Sequence, residues 1–121
     1  GGGLTALHIG DGSKAWFTAP ASCGERPGCS PAQSAAVTAI PGVIFAGGMA
    51  AYLRAFGAED GKQLWEFDTV REFTTVNGVK GKGGALDGPG AVVVNGMVYV
   101  NSGYSRFGGI PGNVLLAFGV E

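Results

Sequence analysis

Short apolar runs alternate with glycine-rich turns along the whole chain. The stretch from Leu53 to Trp65 shows the unit: one apolar run, a turn containing Asp60-Gly61, and a second run ending at the tryptophan. Runs of this length, bounded by turn residues, are typical of short β-strands. No segment holds the 3.6-residue apolar period of a helix. The pattern therefore predicts an all-β protein made of short antiparallel strands.

This unit is repeated. The stretch from Leu4 to Trp16 lies 49 residues upstream, with its leucine, alanine, Asp-Gly turn and tryptophan at matching places. A third, partial copy begins at Leu115, 62 residues after Leu53. Self-similarity at such a period marks a repeat architecture, and a four-stranded propeller blade is the β unit of about this length. The expected fold is a fragment of a β-propeller with about two and a half blades.

The strand order divides the chain into half a blade (1–19), a full blade (20–69) and three strands of another blade (70–121). A propeller closes a ring of blades, so we expect the rest of the propeller elsewhere in a longer protein. The expected strands cover 3–9, 14–19, 34–40, 43–46, 52–58, 63–69, 91–94, 97–102 and 113–120. The expected loops of one face cover 20–33, 47–51, 70–84 and 103–112.

Composition and charge exclude some classes of partner. Glycine accounts for 24 of the 121 residues, without the regular spacing of collagen, and the formal net charge is −1. Proteins that bind nucleic acid usually show a basic stripe, so we expect no nucleic-acid partner. No apolar run is long enough to span a membrane.

Cys23 and Cys29 lie in a loop rich in glycine and proline, with five residues between them. This spacing suits a small disulfide loop, which implies an oxidising compartment. A zinc site is disfavoured, because one cysteine pair without a nearby histidine or second pair lacks the ligands. We therefore expect a disulfide in a periplasmic or secreted protein, with two free thiols as the alternative.

The segment Ala55–Trp65, AFGAEDGKQLW, resembles the tryptophan-docking motif A-x-D-x-x-T-G-K-x-x-W of the quinoprotein dehydrogenase propellers, which bind pyrroloquinoline quinone (PQQ). Ala6–Trp16 has the same spacing of ten. The resemblance implies that Trp16 and Trp65 are structural and dock between blades. Both copies depart from the motif, with His8 and Gly57 in place of its aspartate, and Asp11 and Asp60 in place of its threonine.

The flanking segments CSPAQSAAVTAIPGVIF, NGVKGKGG and VYVNSGYSRFGGIPGNVLLAF resemble the C-terminal part of the polyvinyl-alcohol-dehydrogenase-like branch. The resemblance covers essentially the whole chain. It implies a PQQ-dependent alcohol dehydrogenase, an oxidoreductase that uses Ca²⁺ and passes electrons to an external acceptor such as a cytochrome c. The alternatives are a non-enzymatic propeller scaffold of the same superfamily and a propeller that binds carbohydrate or polymer.

The loop face is the expected cofactor site, since PQQ is a tricarboxylate and cationic loops suit it. Gln33 and Asn77 are candidates to hydrogen-bond carbonyl or carboxylate oxygens of the quinone. Lys80 is a candidate to pair with a carboxylate or to stabilise charge on the quinone oxygen. The alternative for each is an ordinary loop contact. The charged residues expected on this face are Glu25, Arg26, Arg71, Glu72, Lys80, Lys82 and Arg106.

Catalytic and metal residues are harder to assign. Asp87, expected on an inner strand, is a weak candidate for the general base, and it could equally cap a turn with Gly88-Pro89. The general base and Ca²⁺ ligands of the family are expected outside this chain. The Ala50-Ala51 pair replaces an Asp-Gly of the family loop, and His8 is assigned to the scaffold. Residues expected at a substrate entrance are Asn101, Ser102, Tyr104 and Arg106.

Overall fold

A computed structural model describes residues 2–104 and 108–121. Every regular element in these ranges is a β-strand, which confirms the predicted all-β class. None of the described residues forms a helix that could cross a membrane. The strands are β1 (Leu4–Leu7), β2 (Lys14–Thr18), β3 (Thr38–Ile40), β4 (Val43–Ala46), β5 (Tyr52–Gly57), β6 (Gln63–Asp68), β7 (Glu72–Thr74), β8 (Lys80–Lys82), β9 (Val92–Val94), β10 (Met97–Ser102) and β11 (Val114–Gly119).

Besides the short β7–β8 hairpin, three antiparallel sheets follow one another along the described chain. The first is the β1–β2 hairpin, the second has the order β3-β4-β5-β6, and the third has the order β9-β10-β11. In the second sheet Ala55 pairs with Trp65 across β5 and β6. This succession of two, four and three strands matches a fragment of a propeller.

The predicted hairpin at Asn95-Gly96 is present. Both residues have positive φ, 49° and 73°, as a two-residue hairpin turn requires. The turn pairs Met97 with Val94 and sets the register of β9 against β10. Local turn chemistry therefore determines this part of the third sheet.

Two strand predictions need correction. The segment expected to be a strand over 34–40 is a strand only from Thr38 to Ile40. Its earlier part hydrogen-bonds to the segment before β9 instead of pairing with β4, since Ala36 N–H donates to the Gly88 carbonyl at 3.1 Å. The expected loop 70–84 contains the β7–β8 hairpin. Phe73 packs against the core, whereas Val76 and Val79 of the same hairpin are exposed.

The core lies between the second and third sheets. Its buried members are Leu53, Leu86, Ala91, Val100, Val114 and Leu116. A row of aromatic rings borders this core: Trp65 contacts Phe118 at 5.3 Å, Phe118 contacts Phe67 at 4.9 Å, and Phe67 contacts Phe73 at 6.5 Å between centroids. The row joins β6, β11 and the β7–β8 hairpin.

The two tryptophans contact the sheets that follow their own. Trp16 on β2 donates from Nε1 to the Ala58 carbonyl at 3.0 Å, in the turn between β5 and β6. Thr18 Oγ1 donates to the Gly61 carbonyl of the same turn at 2.6 Å. Trp65 is 38% exposed and packs on Phe118 of β11. These contacts place both side chains between successive sheets, and we retain their structural assignment.

Candidate functional site

Three segments meet on the loop face: the chain before β3, the connection 47–51, and the chain before β9. Met49 N–H donates to the Ala32 carbonyl at 2.9 Å, and Leu86 N–H donates to the Gly48 carbonyl at 3.0 Å. A Cβ on Gly48 would lie 2.3 Å from the Ala32 carbonyl oxygen, which only glycine avoids. The connection 47–51 is thus held against the residues around Gln33.

The side chain of Gln33 has a buried oxygen atom, Oε1, without a hydrogen-bond partner among the described residues. A buried acceptor without a partner costs about 1–3 kcal/mol. Such an atom is explained when a donor outside the described chain completes the bond. Of the three predicted cofactor contacts, Gln33 is therefore the one with a buried polar atom that the described residues leave unpaired.

Lys80 and Asn77 lie on the β7–β8 hairpin. Lys80 is exposed on β8, and Asn77 is at the hairpin tip, where its Oδ1 accepts a hydrogen bond from Thr75 Oγ1. The hairpin is fixed beside the start of β11, because Lys82 N–H donates to Asn113 Oδ1 at 2.9 Å. Within the described part of the chain, no hydrogen bond joins Lys80 or Asn77 to Gln33.

Asp87 does not lie on a strand, contrary to expectation. It follows the buried Leu86 in the extended segment before β9 and precedes Gly88, whose φ is 84°. Asp87 is partly buried and stays a weak candidate for a base. Residues 2–104 and 108–121 hold no group of three or more His, Cys, Asp or Glu side chains that could bind a metal.

The residues predicted to line a substrate entrance differ in their exposure. Ser102 is wrongly assigned, because it is fully buried: its Oγ accepts from Gly84 N–H at 2.8 Å and donates to the Gly84 carbonyl at 2.9 Å. Asn101 and Tyr104 are exposed. Arg106 lies outside the described residues. Ser102 thus fixes the backbone where the chain leaves β8, a function that its loop-edge position in the sequence did not indicate.

The disulfide between Cys23 and Cys29 is present, with a Cα–Cα distance of 5.9 Å. Cys29 packs against a second buried cluster made of Ala51, Ala85 and Ile110. The disulfide loop therefore covers the same region of the loop face where the connection 47–51 meets the chain before β9.

Arg26 lies inside the disulfide loop, and its guanidinium donates four hydrogen bonds. Its guanidinium donates to Asp68 Oδ2 at 2.5 Å, to Asp68 Oδ1 at 3.1 Å, to Tyr52 Oη at 3.0 Å and to the Ala50 carbonyl at 3.0 Å. The hydrogen bond to Asp68 raises the pKa of Arg26. For Asp68, burial acts to raise the pKa, but the hydrogen bonds from Arg26 and Val70 and the charge of Arg26 lower it overall.

From the sequence, Arg26 is predicted only as one of several charged residues on the loop face. Its partner Asp68 ends β6, 42 residues later in the chain. No local spacing signals a pair so far apart, so only the fold could reveal it.

The chain aligns with two curated proteins over nearly its whole length. It is 47% identical over 131 residues to a polyvinyl alcohol dehydrogenase of Pseudomonas sp, and 42% identical over 133 residues to one of Sphingopyxis sp. (strain 113P3). Each alignment covers 98% of this chain. The chain is homologous to one part of the polyvinyl alcohol dehydrogenases. This confirms the resemblance carried by the flanking segments.

The chain spans about 20% of the length of these two relatives. No family model matches the sequence. The homology therefore relates this chain to a limited part of each dehydrogenase.

One cavity at the docking tryptophan does not suit a charged ligand. It measures about 340 Å³ and is mostly apolar. Because burying carboxylates without partners is costly, a tricarboxylate fits the loop face better than this cavity. The residues lining it are Phe45, Trp65, Gly96, Val98, Phe118, Gly119 and Val120.

Proposed function

We propose that this chain is the C-terminal part of a PQQ-dependent dehydrogenase that oxidises a secondary alcohol, such as those of polyvinyl alcohol, to a carbonyl. The observation that carries the proposal is the 47% identity to a polyvinyl alcohol dehydrogenase over 98% of the chain. The all-β repeat of sheets supports it, since the quinoprotein resemblance implies a propeller.

Gln33 fits a bound cofactor. In the present orientation its buried Oε1 offers an acceptor, so it would accept from a ring N–H of PQQ. The sequence expectation of donation to a quinone or carboxylate oxygen requires the amide to turn by half a rotation, because Nε2 is its only donor group. Either orientation gives the side chain a polar partner that the described chain does not supply.

Lys80 and Asn77 contribute to the site from the hairpin. We assign the exposed ammonium group of Lys80 to a carboxylate of the cofactor or to the quinone oxygen, where a fixed cation favours developing negative charge. The Oδ1 atom of Asn77 accepts hydrogen bonds within the turn, so we assign its Nδ2 group as the donor to an oxygen of the cofactor. When bound, PQQ supplies the two-electron acceptor of the reaction.

The remaining parts of the mechanism are assigned to the rest of the protein. The Ca²⁺ ligands and the general base are proposed to lie outside this chain, with Asp87 as the one weak candidate within it. Electrons pass to an external acceptor such as a cytochrome c. The Cys23–Cys29 disulfide supports a periplasmic or secreted location, because disulfides persist in oxidising compartments.

The test is a titration of the full-length protein with PQQ and Ca²⁺, followed by quinone absorbance, and then by dye reduction with added polyvinyl alcohol. Saturable binding and alcohol-dependent reduction are expected. A well-folded protein that binds no PQQ would instead be a non-enzymatic propeller. Binding without alcohol-dependent reduction would refute the assigned substrate class.

A further inference from the structure

Arg26 connects the disulfide loop to the second sheet through hydrogen bonds of its guanidinium N–H groups and through a contact with an aromatic ring. Two of its guanidinium bonds reach Asp68 at the end of β6, and one reaches Tyr52 Oη at the start of β5. The guanidinium carbon also lies 4.7 Å from the centre of the Tyr52 ring. A fork of this kind fixes orientation as well as distance.

The fourth bond of Arg26 leads toward Gln33. It reaches the Ala50 carbonyl in the connection 47–51. Within that connection Ala51 N–H donates to the Gly48 carbonyl at 3.0 Å, and Met49 N–H donates to the Ala32 carbonyl. Gly48 in turn contacts the backbone of Gln33, since a Cβ built on it would lie 2.8 Å from the Gln33 Cα atom.

A second path runs along the chain itself. The disulfide at Cys29 closes the loop that contains Arg26, and only three residues separate Cys29 from Gln33. Cys29 is also packed against Ala51, Ala85 and Ile110. The backbone before Gln33 is therefore anchored on one side by the disulfide loop and on the other by the connection 47–51.

The connection 47–51 needs such support because its backbone is strained. Ala51 is fully buried and has a φ of 64°, a conformation that residues other than glycine, asparagine and aspartate rarely adopt. Its carbonyl accepts from Thr69 N–H and from Thr69 Oγ1, both at 2.9 Å. Arg26 binds the neighbouring Ala50 carbonyl, so both peptide oxygens of this strained pair are held.

We propose that Arg26, locked within the Cys23–Cys29 loop, is a positioning residue that holds Gln33 for its ligand. It touches no ligand itself and acts through Ala50, Gly48 and the disulfide loop. The inference rests on the proposed function insofar as Gln33 is a PQQ contact. It adds a role for the disulfide, which keeps Arg26 beside Asp68.

The test measures PQQ affinity in the full-length protein freed of cofactor, by quenching of tryptophan fluorescence. Gln33→Ala and Arg26→Met are each expected to raise the dissociation constant about tenfold, the effect of losing one well-placed hydrogen bond. The double variant is expected to bind only about as weakly as either single one, because both changes remove the same contact.

Arg54→Met is the matched control. Arg54 stacks on the same Tyr52 ring at 4.6 Å and pairs with Glu66. Among the described residues, no hydrogen bond or ion pair of Arg54 reaches the disulfide loop. Its loss is expected to lower stability without changing PQQ affinity. If Arg54→Met weakens PQQ binding as much as Arg26→Met, or if the Arg26 and Gln33 effects simply add, Arg26 is not a positioning residue.

A second measurement does not depend on the cofactor. Arg26→Met, and reduction of the disulfide in the unaltered protein, are each expected to speed amide hydrogen exchange at Met49 and in residues 30–36, while β10 and β11 stay protected. Exchange unchanged at these amides would overturn the proposal even if PQQ binds. Failure of the unaltered protein to bind PQQ, with exchange changed as expected, would refute the proposed cofactor instead.

Discussion

Trp16 on β2 and Ala58 in the β5–β6 turn are joined by a hydrogen bond of 3.0 Å from the indole Nε1 to the carbonyl oxygen. The bond closes a span of 42 residues. It fixes the first sheet against the β5–β6 turn of the second sheet. The tryptophan that ends the first repeat therefore binds the turn of the second repeat.

Replacing Trp16 by alanine is expected to destabilise the protein by about 3–5 kcal/mol, the usual cost of truncating a large packed aromatic. Trp16→Phe should cost less, because the ring still packs while the hydrogen bond is lost. Thermal unfolding of the full-length protein measures both changes. Phe17→Ala, on the neighbouring exposed side of β2, is the control, and an equal loss there would contradict the docking assignment.

Gly61 and Gly12 offer a matched pair. Both have positive φ, 69° and 72°, in the corresponding Asp-Gly turns. A Cβ on Gly61 would lie 2.4 Å from the Trp16 ring, whereas a Cβ on Gly12 meets nothing within 4 Å. Gly12→Ala should therefore cost only the backbone strain, about 1–2 kcal/mol, and Gly61→Ala clearly more. Equal losses in chemical unfolding would show that the ring does not pack on this turn.

The Arg26–Asp68 pair predicts an acid dependence of stability. The pKa of Asp68 is lower in the folded chain than in the unfolded chain. Its contribution is therefore fully present above the unfolded pKa of about 3.9 and is lost as the pH falls through the lower folded pKa. Because both side chains are partly exposed, the contribution should not exceed about 1 kcal/mol.

Asp68→Asn should flatten the loss of stability below pH about 4, measured by urea unfolding across the acid range. Glu59→Gln, in an exposed turn away from Arg26, controls for the removal of a carboxyl group. An unaltered acid profile in Asp68→Asn would exclude this pair as its source.

Lys80→Ala should weaken PQQ binding several-fold, because it removes a positive charge from the site. The melting temperature should stay unchanged, because the Lys80 side chain is exposed. Raising the salt concentration should reduce the difference between the two proteins. Lys82→Ala, also exposed on β8, is the control for a general loss of positive charge. Equal effects of the two changes would assign the hairpin a nonspecific electrostatic role.

Much of the fold follows from local features of the sequence. Asn95-Gly96 predicts its hairpin because both residues tolerate positive φ. Cys23 and Cys29 are close enough in the chain to pair without help from distant segments. The sequence does not predict the β7–β8 hairpin, because only Phe73 of this segment packs against the core, while Val76 and Val79 are exposed.

The candidate site was less predictable. The sequence places Gln33, Asn77 and Lys80 in one group. In the structure Gln33 is partly buried beside the connection 47–51, whereas the other two are exposed on a hairpin beside β11. Ser102, predicted at a substrate entrance at the end of its strand, is a buried hydroxyl hydrogen-bonded to Gly84. Alternation and turn residues report which side of a strand is buried, and they carry no information about which loop of another sheet lies opposite.

The sequence by itself determined the all-β class, the repeated strand–turn–strand unit, the disulfide and the family resemblance, because each depends on residue types at short or regular spacing. Only the tertiary structure decided that Arg26 meets Asp68, that Trp16 meets Ala58, and that Oε1 of Gln33 is buried without a donor from residues 2–104 or 108–121. These contacts join segments far apart in the chain, and their formation depends on how whole sheets pack against one another.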